Sequence, residues 1–195
     1  SQMNATATPL DKRDNPTNIR FNQRVGKAMD SALKEVTKYL RVKHDTWPSG
    51  YDIEIAFEDR FTAKDGPSAA ICCALLLDSL VTGHTIDPFF AVTGDMNADG
   101  SVQPVGGVPA KVRGAFSKSC KYVAIPTKNA RSLSDLVLLN GINTVSRIQV
   151  FTIDDFDEAA KIAFTDKNQD IKTSIEEFNK IQSAIFRHKT GVLKN

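Results

Sequence analysis

Cysteine is scarce in this chain. Cys72 and Cys73 sit side by side and Cys120 stands alone, which makes neither a disulfide framework nor a metal knuckle. The fold must therefore rest on its core, no metal is expected, and a reducing, cytoplasmic setting is. Charge of one sign is lacking as well. The 25 Lys and Arg against 23 Asp and Glu leave a net charge of +2, with no basic block of the kind that marks a nucleic-acid or membrane partner, so neither partner is expected. No apolar run approaches the roughly 20 residues of a membrane-spanning helix. The opening SQMNATATPLDKRD also lacks the basic-then-apolar layout of a signal peptide. Histidine is too sparse and too poorly placed for a Ser-His-Asp triad: His44 lies in a turn before Trp47, His84 beside Gly83 at a helix end, and His188 in a basic tail. The phosphate loop G-x-x-x-x-G-K-S/T is missing too, so the sequence carries no ATP-driven motor of that kind, and no cofactor is expected.

What is present is a regular alternation of elements. With 195 residues, 41% of them hydrophobic, the chain can fill one core. Residues 1–20 are polar and turn-rich and predict a loose lead-in. Val25, Ala28, Met29, Ala32, Leu33, Val36 and Leu40 recur at helical spacing, which predicts a helix over 22–41. After the turn WPSG, the alternating YDIEIAFE predicts a half-buried strand, and Pro67 opens a helix to about Val81 that is apolar on several faces and so central. PFFAVTGDMNADGSVQPVGGV predicts a hairpin turning at NADG and closing on Gly106 and Gly107, and Pro109 opens the next helix. Strand KYVAIP, helix 129–140, strand RIQVFTI and helix 154–164 follow, and Ile171, Ile175, Phe178 and Ile185 stripe a final amphipathic helix over 168–188. The pattern is that of an α/β (α+β) domain with a mixed sheet, an early hairpin and an extra C-terminal helix.

Two residues stand out chemically. Ser68, in KDGPSAA, opens the buried helix, where unpaired backbone NH groups and the helix dipole favour negative charge. A serine hydroxyl is a weak nucleophile until a neighbouring base takes its proton. Lys111, in PVGGVPAKVRGAF, follows two glycines and a helix-opening proline. Burial and the positive helix end both disfavour its ammonium form and so lower its pKa, which suits a general base.

KDGPSAA, then AVTGD, then PVGGVPAK, in this order and at these separations, closely resemble the proteolytic domain of the Lon family of serine proteases. The resemblance runs over about residues 21–164, through KYVAIPTKN. It implies a Ser-Lys dyad of Ser68 and Lys111, with Thr93 holding the lysine amine and backbone NH groups near Ser68 meeting the oxyanion. Asp65 is expected either to cap the central helix or to gate the site by touching Lys111 or Ser68, and the cap is the preferred reading. Gly66, Gly106 and Gly107 are read as positions that let backbone and substrate approach. Where the family has glycine after Ser-Ala this chain has Ala70, and where it has glutamate after Thr-Gly this chain has Asp95.

The domain plan is then a lead-in over 1–20, a Lon-like proteolytic domain over 21–165 and a helical extension over 166–195. The resemblance further implies an endopeptidase acting on unfolded or flexible proteins and peptides, assembled as a hexameric ring. Because the phosphate loop is missing, the chain as it stands is expected to work without ATP, served by a separate ATPase or by the ATPase domain of a longer protein. The competing expectation is a latent or degenerate domain that serves binding or assembly.

Overall fold

Successive side chains of a strand point to opposite faces. In the computed structural model, which describes residues 1–59, 61, 64–140 and 145–191, this puts the strand Tyr122–Pro126 between two cores. Ala124 joins the larger buried cluster, while Val123 and Ile125 join a smaller one.

In chain order the elements are β1 (Met3–Pro9), β2 (Asn18–Phe21), α1 (Lys27–Lys43), β3 (Tyr51–Phe57), α2 (Ala70–Thr82), β4 (Phe90–Val92), β5 (Asp95–Met96), β6 (Val102–Gln103), α3 (Val108–Ser117), β7 (Tyr122–Pro126), α4 (Ser132–Asn140), β8 (Gln149–Ile153), α5 (Phe156–Ala163) and α6 (Gln169–Gly191). One sheet is mixed, with β3 antiparallel to β1 on one side and parallel to β2 on the other. A second is parallel, in the order β4-β7-β8, and β5 with β6 forms the expected hairpin. The chain is thus a mixed α+β domain.

The larger core gathers α1, β3, α2, the hairpin and α5 through residues such as Val36, Ile55, Ile71, Leu75, Met96 and Phe156. The smaller one, Val108, Val112, Val123, Ile125, Leu136 and Ile148, lies between α3, α4 and the other face of the parallel sheet. The helix α2 is buried on most sides and ends on Gly83 in the left-handed region at φ 76°, a conformation that glycine adopts without a Cβ clash.

Three expectations are corrected. Residues 3–9 and 18–21 are strands flanking β3, where a loose lead-in was predicted: MNATATP is weakly apolar, and its strand comes from the partner it pairs with, only Met3 and Ala5 leaning on the core. The first helix begins at Lys27 after Gly26, because Asn22 N still donates to Ile55 O and prolongs the strand pairing. The central helix begins at Ala70, since the amide of Ala70 bonds Pro67 O in a turn that holds residues 67–69 out of the helix.

The final helix docks on the domain by one face. Ile171 packs against the larger core, Gln149 Nε2 donates to Ser174 O and Oγ, and Gln182 Nε2 donates to Ser146 O. Its approach is fixed by a buried ion pair, Lys167 Nζ to Asp87 Oδ2 at 2.6 Å. Among the described residues no helix is long and apolar enough to cross a membrane.

Candidate active site

The turn before α2 carries Ser68, half-buried, and ties it to the end of β4. Its carbonyl oxygen accepts from Gly94 N at 3.0 Å and from Thr93 Oγ1 at 3.1 Å, and Ile71 N donates back to Gly94 O at 3.3 Å. Thr93 is itself buried and donates its amide to Ala124 O on β7 at 3.1 Å. Glycine at 94 permits this approach, because a Cβ there would lie 2.9 Å from Val102 Cγ1. Since the amides of Ala70 and Ile71 are already engaged, those left free of a backbone acceptor in this turn, among the described residues, belong to Ser68 and Ala69.

Lys111 arrives on the other side of the parallel sheet. Gly107 precedes α3 at φ 70°, a left-handed conformation that turns the chain into the helix, and Lys111 N closes the first helical bond to Gly107 O at 3.1 Å. Val108 and Val112 bury against Val123 and Ile125 of β7 and so fix the face on which Lys111 sits. The amine is half-buried. Burial holds its pKa below the ordinary lysine value, with no charge or hydrogen bond contributing among the described residues.

A residue that sequence reasoning missed anchors this side. Asn129 accepts from Val105 N at 2.9 Å and donates to Val105 O at 3.0 Å, pinning the segment before α3 to the short 3-10 turn Thr127–Asn129 at the end of β7. The signal was present in KYVAIPTKN, whose asparagine had no role assigned.

The structure thus brings Ser68 and Thr93 together and carries Lys111 on α3, whose Val108 and Val112 pack on β7. Among the described residues no hydrogen bond joins Ser68 Oγ to Lys111 Nζ, and the Thr93 hydroxyl holds the serine's carbonyl, where it was expected to hold the lysine amine. Asp65 does not cap α2. That helix has Ala69 at its N-cap and no side-chain cap, whereas the exposed Asp65 lies so close to Gly26 that a Cβ on that glycine would collide with its carboxylate. The physical reason is the turn over 67–69, which moves the helix start five residues beyond Asp65, while Lys64 O takes the Gly26 amide at 2.8 Å. Gly66 and Gly106 face open space, with nothing among the described residues within 4 Å of an added Cβ, so neither lets another stretch of the described backbone approach.

His44 and His84 lie outside this arrangement. His44 Nε2 bonds the buried Asp78 at 2.7 Å and His84 packs on Phe164, while the side chain of His188 lies outside the described residues. The thiol of Cys72, in the first turn of α2, is pushed up to about 11 by burial. Among the described residues no cluster of three His, Cys, Asp or Glu could hold a metal ion.

Fold and site together define a mixed α+β domain with a turn-borne serine held at the end of β4 and a half-buried lysine on the helix that packs against β7. Comparison with known proteins gives that class its family. Residues 21–166 match the family described as the Lon protease (S16) C-terminal proteolytic domain, and the chain belongs to it. It is 28% identical over 156 residues to the Lon protease of Desulfovibrio desulfuricans, covering 77% of this chain and 17% of that protein. It is 32% identical over 124 residues to Lon protease 1 of Thermus thermophilus (60% and 16%) and 40% over 85 residues to the Lon protease of Methanosarcina barkeri (44% and 11%). The chain therefore spans under a fifth of the length of these relatives.

Proposed function

We propose that this chain is a serine endopeptidase domain that cleaves unfolded or flexible polypeptides, with Ser68 as nucleophile and Lys111 as its general base. The observation that carries the reading is the amine of Lys111: half-buried at the start of α3, with a lowered pKa and no counter-charge among the described residues, it keeps a larger free-amine fraction near neutrality than an exposed lysine does. In the mechanism, Lys111 Nζ takes the proton of Ser68 Oγ as the oxygen attacks the peptide carbonyl. The oxyanion forms opposite the free amides of the Ser68 turn. The ammonium returns its proton to the leaving amine, and water, deprotonated by the same amine, then hydrolyses the acyl-enzyme. Thr93 is the positioning residue, holding the backbone of Ser68 through its hydroxyl. Asp65 and Gly66 shape the loop and take no chemical part.

A chain with no phosphate loop performs this chemistry without ATP. Folded proteins then become substrates only when a separate ATPase, or an ATPase domain in a longer protein, delivers them. A closed hexameric ring of copies would screen the sites from folded proteins.

Casein hydrolysis without ATP tests the reading. Ser68→Ala and Lys111→Ala are each expected to lower the rate by at least about 10³-fold with the thermal melt retained. Cleavage that persists in both variants overturns the dyad. A second reading, a latent domain that serves binding or assembly, is favoured by one observation, the missing bond between Ser68 Oγ and Lys111 Nζ. Failure of a peptide boronate to label Ser68, together with inactivity of the wild-type chain, would select it.

A further inference from the structure

Away from the serine turn, an open groove of about 550 Å³ runs between β2 and the first turns of α1, and Arg20, Gln23, Arg24, Lys27, Asp30 and Lys34 are among its lining residues. Its cations are not equally matched. Arg20 pairs with Asp52 at 2.9 Å and Glu54 at 2.6 Å, and Lys34 pairs with Asp30 at 2.8 Å. Arg24 and Lys27 are exposed and form no ion pair among the described residues, so the groove keeps two unpaired cations. Gln23 adds an unmet donor: its Oε1 accepts from Phe57 N at 3.1 Å, while its Nε2 is buried with no hydrogen-bond partner among the described residues.

The groove also has a strand along it and a tether to the serine. In the order β1-β3-β2, β2 is an edge strand, whose outer backbone groups suit pairing with an extended chain. The loop between Arg24 and Lys27 is joined to the segment leading into Ser68, through Gly26 N to Lys64 O at 2.8 Å and the packing of Asp65 on Gly26.

We propose that this groove binds an acidic, extended segment of the polypeptide being cleaved, with Arg24 and Lys27 as its anchors. The inference rests on the peptidase reading for the identity of the occupant. An edge strand favours a peptide over a nucleic acid, as does the small number of unpaired cations, Arg24 and Lys27 among the described residues. Arg24 and Lys27 then set a preference for Asp and Glu away from the scissile bond, and binding weakens as salt screens them.

The test uses the full chain carrying Ser68→Ala, so that binding is read without cleavage and fails or succeeds independently of the dyad. Fluorescence anisotropy would compare a labelled, unstructured peptide rich in Asp and Glu with the same peptide carrying Asn and Gln. The acidic peptide is expected to bind about ten-fold tighter in 0.05 M salt, an advantage that Arg24→Glu/Lys27→Glu removes and 0.5 M salt diminishes. Arg24→Gln/Lys27→Gln is the milder variant where charge reversal disturbs folding, and the same loss is expected of it. Equal binding of the two peptides overturns the proposal, as does an advantage that survives both double variants. An oligonucleotide of matched charge that binds as tightly as the acidic peptide also overturns it, assigning the groove to polyanions at large.

Discussion

The turn that carries Ser68 leans on the larger core and is held twice, by Gly94 N and by Thr93 Oγ1 on the same carbonyl. Lys111 rides on α3, a ten-residue helix packed on the smaller cluster, and the segment feeding that helix is pinned, among the described residues, by the one side chain of Asn129. Redundant anchoring on a large buried surface resists displacement, whereas one anchor on a small surface gives way first. On the proposed mechanism the nucleophile is therefore preformed, and the adjustment that brings amine to hydroxyl falls on the lysine side.

Breaking the weaker anchor should have the largest effect. Asn129→Ala removes both bonds to Val105 and is expected to lower kcat/KM on casein by about 10- to 100-fold, the loss that a misplaced catalytic group brings. Its stability falls by about 1 kcal/mol in urea unfolding. Thr93→Val removes one of two bonds to the Ser68 carbonyl and should lower stability by a similar amount, about 1 kcal/mol, yet activity by less than about ten-fold. A larger activity loss for Thr93→Val than for Asn129→Ala would reverse the comparison.

Two smaller effects sharpen it. Gly107→Ala forces a Cβ into the left-handed conformation that starts α3 and should destabilise by about 1 kcal/mol, whereas Gly106→Ala, in open space, should stay within about 0.5 kcal/mol. Lys111→Met gives the smallest change. The folded state depresses the lysine's pKa, so the ammonium destabilises the fold at pH values below the depressed value, and this penalty is relieved as pH rises through it towards 10.5. Lys111→Met should accordingly melt slightly higher than wild type at neutral pH, with the difference shrinking as pH rises through the depressed value towards 10.5.

Much of this architecture was legible in the residues. The apolar run AICCALLLDSLV, the turn NADG and the pair Gly106-Gly107 led to α2, the hairpin and α3, because each depends on local chemistry. The strand β1 was not legible, since MNATATP becomes a strand by pairing with β3 across some fifty residues of chain. The role of Asp65 failed for a similar reason: the three-residue turn after Gly66 shifted the helix start and left its carboxylate beside Gly26. The motifs marked Ser68, Thr93 and Lys111 as candidates, but the partner of the threonine hydroxyl depends on how strand and turn meet in space.

The most direct test of the account is the titration of Lys111 itself, followed by NMR of lysines labelled at Cε and assigned by Lys111→Arg. The account predicts that its amine loses the proton clearly below the ordinary lysine value of 10.5, and that the rise of kcat/KM with pH follows the same curve. A Lys111 that titrates at or above 10.5, or a rate that rises with pH independently of it, would contradict the claim that a desolvated lysine activates Ser68.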